Sequence, residues 1–364
     1  MVQLLLAQPL VRRMTVLTAC CVLLEGSVVA WGKKDQSTPV PAPPDLLLEG
    51  NRKLSFVRSF SSERETRGKA SFWTKFVDVV AGMPEDHPMV RPYGVAVDSK
   101  GRVIVTDPGA EGVHVFDFAE HKYRFLQRRD KAKNSMRAPQ CVAVDAQDNV
   151  YVTDSEEGDI FVFDSHGNFR RTIGSLKGGE GYFKRPTGIA VDSDARRIYV
   201  SDTLRDQIFV LDMEGNVLRT IGKHGTDPGD LYYPTELHLA QGELIAVDAM
   251  NFRVQFYSPD GVLRGGIGHL GDEVGSIFRP KGVSVDSENH VYLVDGLWGV
   301  VQVFDREGQL LYYFGGRGKQ LGEFQLPSGI FIDKSDRIYV VDSYNGRVQV
   351  FQYSGLSQAT RVKQ

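Results

Sequence analysis

Cysteine is almost missing from this chain: Cys20, Cys21 and Cys141 are the three in 364 residues. The first two lie in an N-terminal stretch read below as an export signal. Cys141 alone remains, and one thiol cannot staple a domain to itself; it reads as a small core residue rather than a reactive one. No CxxCH occurs, so the chain binds no haem covalently. Lysine and arginine number 43 against 46 aspartates and glutamates, a net charge of −3, and this lacks the basic excess of a nucleic-acid binder. The apolar run Met14–Leu24 is too short to span a bilayer securely. No serine elbow or phosphate-binding glycine loop appears. The 41% hydrophobic content is that of an ordinary globular protein.

What the chain does contain is a repeat. Pro92, Pro139, Pro186, Pro234, Pro280 and Pro327 stand at intervals of 47, 47, 48, 46 and 47 residues. After each proline comes a short apolar run (GVAVD, CVAVD, GIAVD, ELHLA, GVSVD, GIFID). A turn and a β-branched run ending in aspartate follow (VIVTD, VYVTD, IYVSD, LIAVD, VYLVD, IYVVD), then a third run such as VHVFD or VQVFQ. Turn residues, for example Glu214-Gly215-Asn216, lead into a fourth run, FRRTIG or VLRTIG. Four antiparallel strands per copy make one propeller blade, so six copies predict an all-β, six-bladed β-propeller.

The pattern GxGxF-x-x-P-x-G-V-A-V-D, a Gly/Asn turn, YVxD and RVQVF resembles the NHL repeat over roughly Arg91 to Gln352. The last copy matches most closely, with Gly322-Glu323-Phe324 before Pro327-Ser328-Gly329 and Asn345-Gly346-Arg347-Val348-Gln349-Val350-Phe351 after Asp342. The sixth copy lacks a fourth strand, and residues 54–60 (LSFVRSF) are a strand without a blade. That strand is expected to complete the sixth copy and close the ring within a propeller domain of residues 51–354.

Residues 1–30 read as an export signal: Arg12 and Arg13, the apolar run, then SVVA. Two processing routes stay open. Leu17-Thr18-Ala19-Cys20 resembles a lipobox, which would leave a lipidated Cys20 as a membrane tether; Val28 and Ala30 fit an ordinary signal-peptidase site, which would release the chain. Residues 31–50 are a Pro-rich tether. Phe72, Trp73, Phe76, Val77, Val79 and Val80 predict a short amphipathic helix over about 71–81, and 355–364 a polar, flexible tail. The expected location is the periplasm or cell envelope.

The resemblance implies that ligands meet the face bearing the loops between blades. Residues beside the prolines ring the channel mouth there. Arg91, Arg185 and Arg279 precede the prolines of blades 1, 3 and 5, about 120° apart on a six-fold ring. With Lys281 they suit an anion or acidic peptide, although loop positions also favour solvated charge. Tyr93, Gln140, Thr187, Tyr233, Thr235 and Ser328 complete the ring, and Trp298, Tyr344 and Phe252 occupy equivalent loops, either as docking aromatics or as blade caps. The aspartate column Asp107, Asp154, Asp202, Asp248, Asp295 and Asp342 reads as a scaffold accepting loop amides, not a metal trap. A second column, Asp98, Asp145, Asp192, Asp286 and Asp333, reads as turn formers.

Blade 4 departs from the repeat. Glu236 stands where glycine is usual, His238 where Ala96, Ala143 and Ala190 stand, and the two face the same way on a strand, as an acid/base pair, as ligands or as satisfied core polars. Zinc-dependent peptidyl-amidoglycolate lyases carry histidines directly after the blade prolines, and none occurs here; for a lactonase-like calcium site only Glu236 is available. The expectation is therefore a non-catalytic exported scaffold with no cofactor, docking a protein or peptide, conceivably within an exported electron-transfer assembly. A metal-dependent enzyme with its site near the channel at blade 4 is the alternative. RNA binding, known for animal NHL propellers, is opposed by the acidity and the export signal.

Overall fold

The computed structural model describes residues 41–67, 86–128, 135–174, 182–271, 273 and 275–355. The predicted helix, the export signal with Cys20, and residues 356–364 of the tail lie outside them. Helical geometry among the described residues is limited to four 3-10 turns, Glu49–Asn51, Glu63–Thr66, Ala249–Asn251 and Ser343–Asn345.

Each proline-to-proline segment folds into a four-stranded antiparallel sheet. From channel to rim, blade 1 is Val95–Val97, Val103–Asp107, Gly112–Asp117 and Lys122–Leu126. Blade 2 is Pro139–Val144, Val150–Asp154, Asp159–Phe163 and Phe169–Ile173. Blade 3 is Pro186–Asp192, Arg197–Asp202, Gln207–Asp212 and Val217–Ile221; blade 4 is Pro234–Ala240, Glu243–Asp248, Arg253–Tyr257 and Leu263–Ile267. Blade 5 is Pro280–Val285, Val291–Asp295, Val300–Phe304 and Leu310–Gly315. Blade 6 draws Ile330–Ile332, Arg337–Asp342 and Arg347–Ser354 from the end of the repeat array, then takes its outer strand, Lys53–Phe60, from before the first blade.

That borrowed strand pairs antiparallel with Arg347–Ser354, from Lys53 opposite Ser354 to Phe60 opposite Val348. Phe56 packs edge-on to Phe351 at 5.6 Å, and Phe60 meets Phe116 and Phe118 of blade 1 at 4.9 and 5.0 Å. The ring is thus closed by a strand that belongs to blade 6 by hydrogen bonding and to the blade 6–blade 1 interface by packing. Leu46–Leu47, within the Pro-rich stretch, adds a two-residue strand outside it. The apolar side chains are sorted into six buried clusters, one at each blade–blade interface. The wholly buried second strands explain this: their residues alternate between two neighbours rather than between core and solvent.

In blades 2 to 5 the opening proline pairs with the column aspartate of the second strand, as Pro186 does with Asp202 and Pro280 with Asp295. Proline loops and post-aspartate loops therefore share one face. The aspartates hold it together. Asp154 Oδ2 accepts the amides of Arg137 (2.7 Å) and Ala138 (2.9 Å), and Asp202 those of Lys184 (2.6 Å) and Arg185 (3.0 Å). In blades 4 and 6 the carboxylate is shared with side chains: Asp248 takes Asn251 and Arg253, and Asp342 takes Asn345 and Arg347. There each accepts only one of the two amides before its proline, and the residue next to that proline, Tyr233 or Leu326, adopts a left-handed backbone (φ 62° and 47°). The second aspartate column caps turns at the opposite end; Asp145 Oδ1 accepts Gln147 and Asn149 amides, both at 2.9 Å.

Candidate binding site at the channel mouth

The inner strands approach one another most closely two residues after each proline. A Cβ on Gly188 would lie 2.6 Å from the Thr235 carbonyl oxygen, and one on Gly329 would lie 2.6 Å from that of Tyr93. Backbone against backbone leaves room only for glycine at most of these positions. Blades 2 and 4 are the exceptions, with Cys141 and Glu236, and these two side chains meet: Cys141 Sγ donates to Glu236 Oε2 at 3.1 Å. Chain positions 95 apart thereby become one pair.

Burial pushes the Glu236 carboxyl up to about 7, against the smaller opposing pulls of the Cys141 thiol and the Leu237 amide. Burial and the neighbouring Glu236 push the Cys141 thiol well above its ordinary range, so it stays a neutral donor. Below the pair is a cavity of about 200 Å³ lined by the inner strands. His238 faces it with Phe331, and desolvation lowers the imidazole to about 4, keeping it neutral at physiological pH. Glu236 and His238 retain partial exposure because the surface they present is the cavity wall.

Above the pair the charge is positive. Lys281 is partly buried, and its ammonium is pushed down by burial and then by Arg279 and Arg185. Tyr93 is close enough to Cys141, Glu236, Arg185 and Arg279 to feel each of them, and burial above all drives its phenol well above the usual range. Among the described residues, Arg91, Arg185, Arg279 and Lys281 make no ion pair. Arg185 Nη1 donates to the Tyr233 hydroxyl at 3.1 Å, which steadies it at the mouth. Arg91 instead lies over the Tyr344 ring, 5.2 Å from its centroid. The three-fold arginine pattern therefore divides: Arg185 and Arg279 flank Lys281, and Arg91 turns to the Tyr344 ring of blade 6.

The other ring residues serve the scaffold. Thr187 Oγ1 is buried against Thr203 Oγ1 (2.7 Å) and Ser201 Oγ (3.0 Å), Ser328 Oγ donates to the Tyr93 carbonyl at 2.7 Å, and Gln140 Nε2 reaches the Ala138 carbonyl at 3.4 Å. Thr235 Oγ1 is buried without a hydrogen-bond partner among the described residues. Trp298 and Tyr344 are exposed, whereas Phe252 folds down against the blade 4–blade 5 core. Reasoning from the repeat missed a wider feature. Val90, Leu204, Tyr232, Met250 and Phe278 are also exposed in the loops of this face, between 38% for Tyr232 and 59% for Val90. With Trp298 and Tyr344 they make an apolar collar interrupted at blade 2, where Arg137 and Glu156 stand instead. Among the described residues no three His, Cys, Asp or Glu side chains converge as a metal-ligand set.

A family model described as 6-bladed beta-propeller matches residues 97–202, and the NHL repeat model matches residues 324–351. The chain is a six-bladed β-propeller with an NHL repeat. The propeller has structural relatives of several kinds. It superposes on virginiamycin B lyase from Staphylococcus aureus with a TM-score of 0.54 at 13% identity, over 83% of this chain and 99% of that one. An auxiliary nutrient binding protein from Bacteroides thetaiotaomicron VPI-5482 gives 0.55 at 13% identity, over 73% and 70%. Kuenenia stuttgartiensis hydrazine synthase gives 0.51 at 15% identity, over 72% and 95%. At such identities the likeness is one of fold. No curated protein matches the chain.

Proposed function

We propose that this propeller is a non-catalytic, exported binding module whose loop face docks a protein or peptide of the cell envelope. The observation that carries the reading is the apolar collar around a cationic mouth on a single face. Isolated exposed apolar residues are ordinary on a protein surface, but aromatics and methionine gathered on one face are the composition of an interface. Among propellers of this fold, a nutrient binding protein and a lyase are both represented, so the scaffold itself does not choose between binding and catalysis.

Crosslinking and capture from the native envelope test the reading. Trp298→Ala with Tyr344→Ala is expected to lose the partner, while Val262→Ala, exposed at a hairpin turn on the opposite face, keeps it. Equal capture by all three proteins would remove the face from consideration. The second reading, chemistry at blade 4, is favoured by one observation, the near-neutral Glu236 carboxyl against the Cys141 thiol. A bound small molecule or metal lost from a Glu236→Gln, His238→Ala variant, with the protein partner unaffected, would support it.

A further inference from the structure

We infer that the channel mouth is a carboxylate receptor, in which Arg185 and Arg279 from blades 3 and 5 and Lys281 beside them take an Asp or Glu side chain or the terminal carboxylate of a docked peptide. The inference rests on the docking reading and names the chemistry at its centre. Arg185 and Arg279 stand immediately before the prolines that open the inner strands of blades 3 and 5, and Lys281 immediately after the second of these. Arg185 is held toward blade 4, between blades 3 and 5, by the Tyr233 hydroxyl at 3.1 Å, and none of the three cations makes an ion pair among the described residues. The mutual repulsion of the three and the partial burial of Lys281 are left uncompensated, and an arriving anion relieves both. Guanidinium groups offer planar forks that match a carboxylate.

The floor limits the charge of the guest. Beneath the mouth stands the Cys141–Glu236 pair, so a guest carried deep meets an acid. A single carboxylate meets less repulsion from that acid than a dianionic phosphate or a polyanionic phosphodiester backbone would. The surrounding collar of Leu204, Tyr232, Met250, Phe278, Trp298 and Tyr344 suits peptide side chains flanking the anchored carboxylate.

The test uses the full chain and fluorescent hexapeptide pools fixed at Asp or Glu in one position, beside the matching Asn and Gln pools, each made with free and amidated C-termini. Anisotropy titration is expected to show the neutral, amidated pool binding weaker by about tenfold or more, with the loss deepening at low ionic strength. Comparing the acidic amidated pool with the neutral free-acid pool assigns the carboxylate to a side chain or a terminus. Arg185→Gln with Arg279→Gln, and separately Lys281→Met, should abolish the preference at unchanged melting temperature. If Lys281→Met fails to fold, Lys281→Arg should retain the preference. Equal binding of charged and neutral pools, a preference unchanged in the Arg185→Gln, Arg279→Gln variant, or no binding by any pool overturns the inference. The docking reading fails separately: Trp298→Ala with Tyr344→Ala leaving all affinities unchanged would remove the collar while leaving the carboxylate site standing.

Discussion

At the scale of single residues, the channel holds two titratable groups whose burial pulls in opposite directions with pH. Glu236 ionises at about 7 in the fold against an ordinary 4.5. Between those values the folded chain holds a proton that the unfolded chain has released, so stability falls as pH rises through the window. Above it the buried charge costs on the order of 3 kcal/mol. His238 ionises at about 4 against 6.5, so the unfolded chain binds the proton first and stability falls as pH drops through that window. Glu236→Gln keeps the shape and an oxygen for the Cys141 thiol while removing the charge. Its melting temperature should exceed that of the wild type near pH 8 and converge with it toward about pH 5, where little of the penalty remains. Parallel curves across that range would mean that Glu236 is not held protonated. The residue types of this pair were legible in the repeat because both break it. Their contact was not, since it depends on the spatial closeness of blades 2 and 4 and on glycines between them.

At the scale of the element, the column aspartates convert a sequence rhythm into a shaped face. Asp295 is wholly buried, with Oδ2 accepting the amides of Phe278 (2.9 Å) and Arg279 (3.2 Å) and Oδ1 those of Leu297 and Trp298 (both 3.0 Å). One carboxylate thus fixes the loop that presents Arg279 and the loop that presents Trp298. Asp295→Ala leaves four amides without an acceptor and should cost about 3 kcal/mol or more by urea unfolding. Asp295→Asn should lose less, since one oxygen remains. Hydrogen exchange confined to residues 278–299 would show the loops loosening; a variant as stable as wild type would show that water replaces the carboxylate at no cost. This role was readable from the aspartate recurring in every blade, because a residue needed six times over serves the scaffold. The collar was harder to read, since it draws on two separate loop positions, two residues before the proline (Val90, Tyr232, Phe278) and two or three after the column aspartate (Leu204, Met250, Trp298, Tyr344), and only the fold brings these onto one face.

At the scale of the whole molecule, the ring is six similar interfaces in a circle, and its integrity depends on the one made by the two ends of the array. The array alone would leave blade 6 with three strands and an exposed edge, and the Lys53–Phe60 strand supplies the fourth. Leu54 and Phe60 are buried on opposite sides of this strand's role, Leu54 in the blade 5–blade 6 core and Phe60 in the blade 6–blade 1 core. Removing the strand therefore uncovers two cores and a row of backbone hydrogen bonds at once. A chain beginning after Phe60 should melt lower by on the order of 10 °C or more. A synthetic peptide spanning Asp45–Ser61, added in excess, should recover part of that loss in proportion to its concentration, because a ligand that binds only the folded ring stabilises it by mass action. An unchanged melting temperature would show that the blade 5, blade 6 and blade 1 cores hold the circle without a latch. Loss without rescue would show that the strand must be covalently present for the ring to close at all.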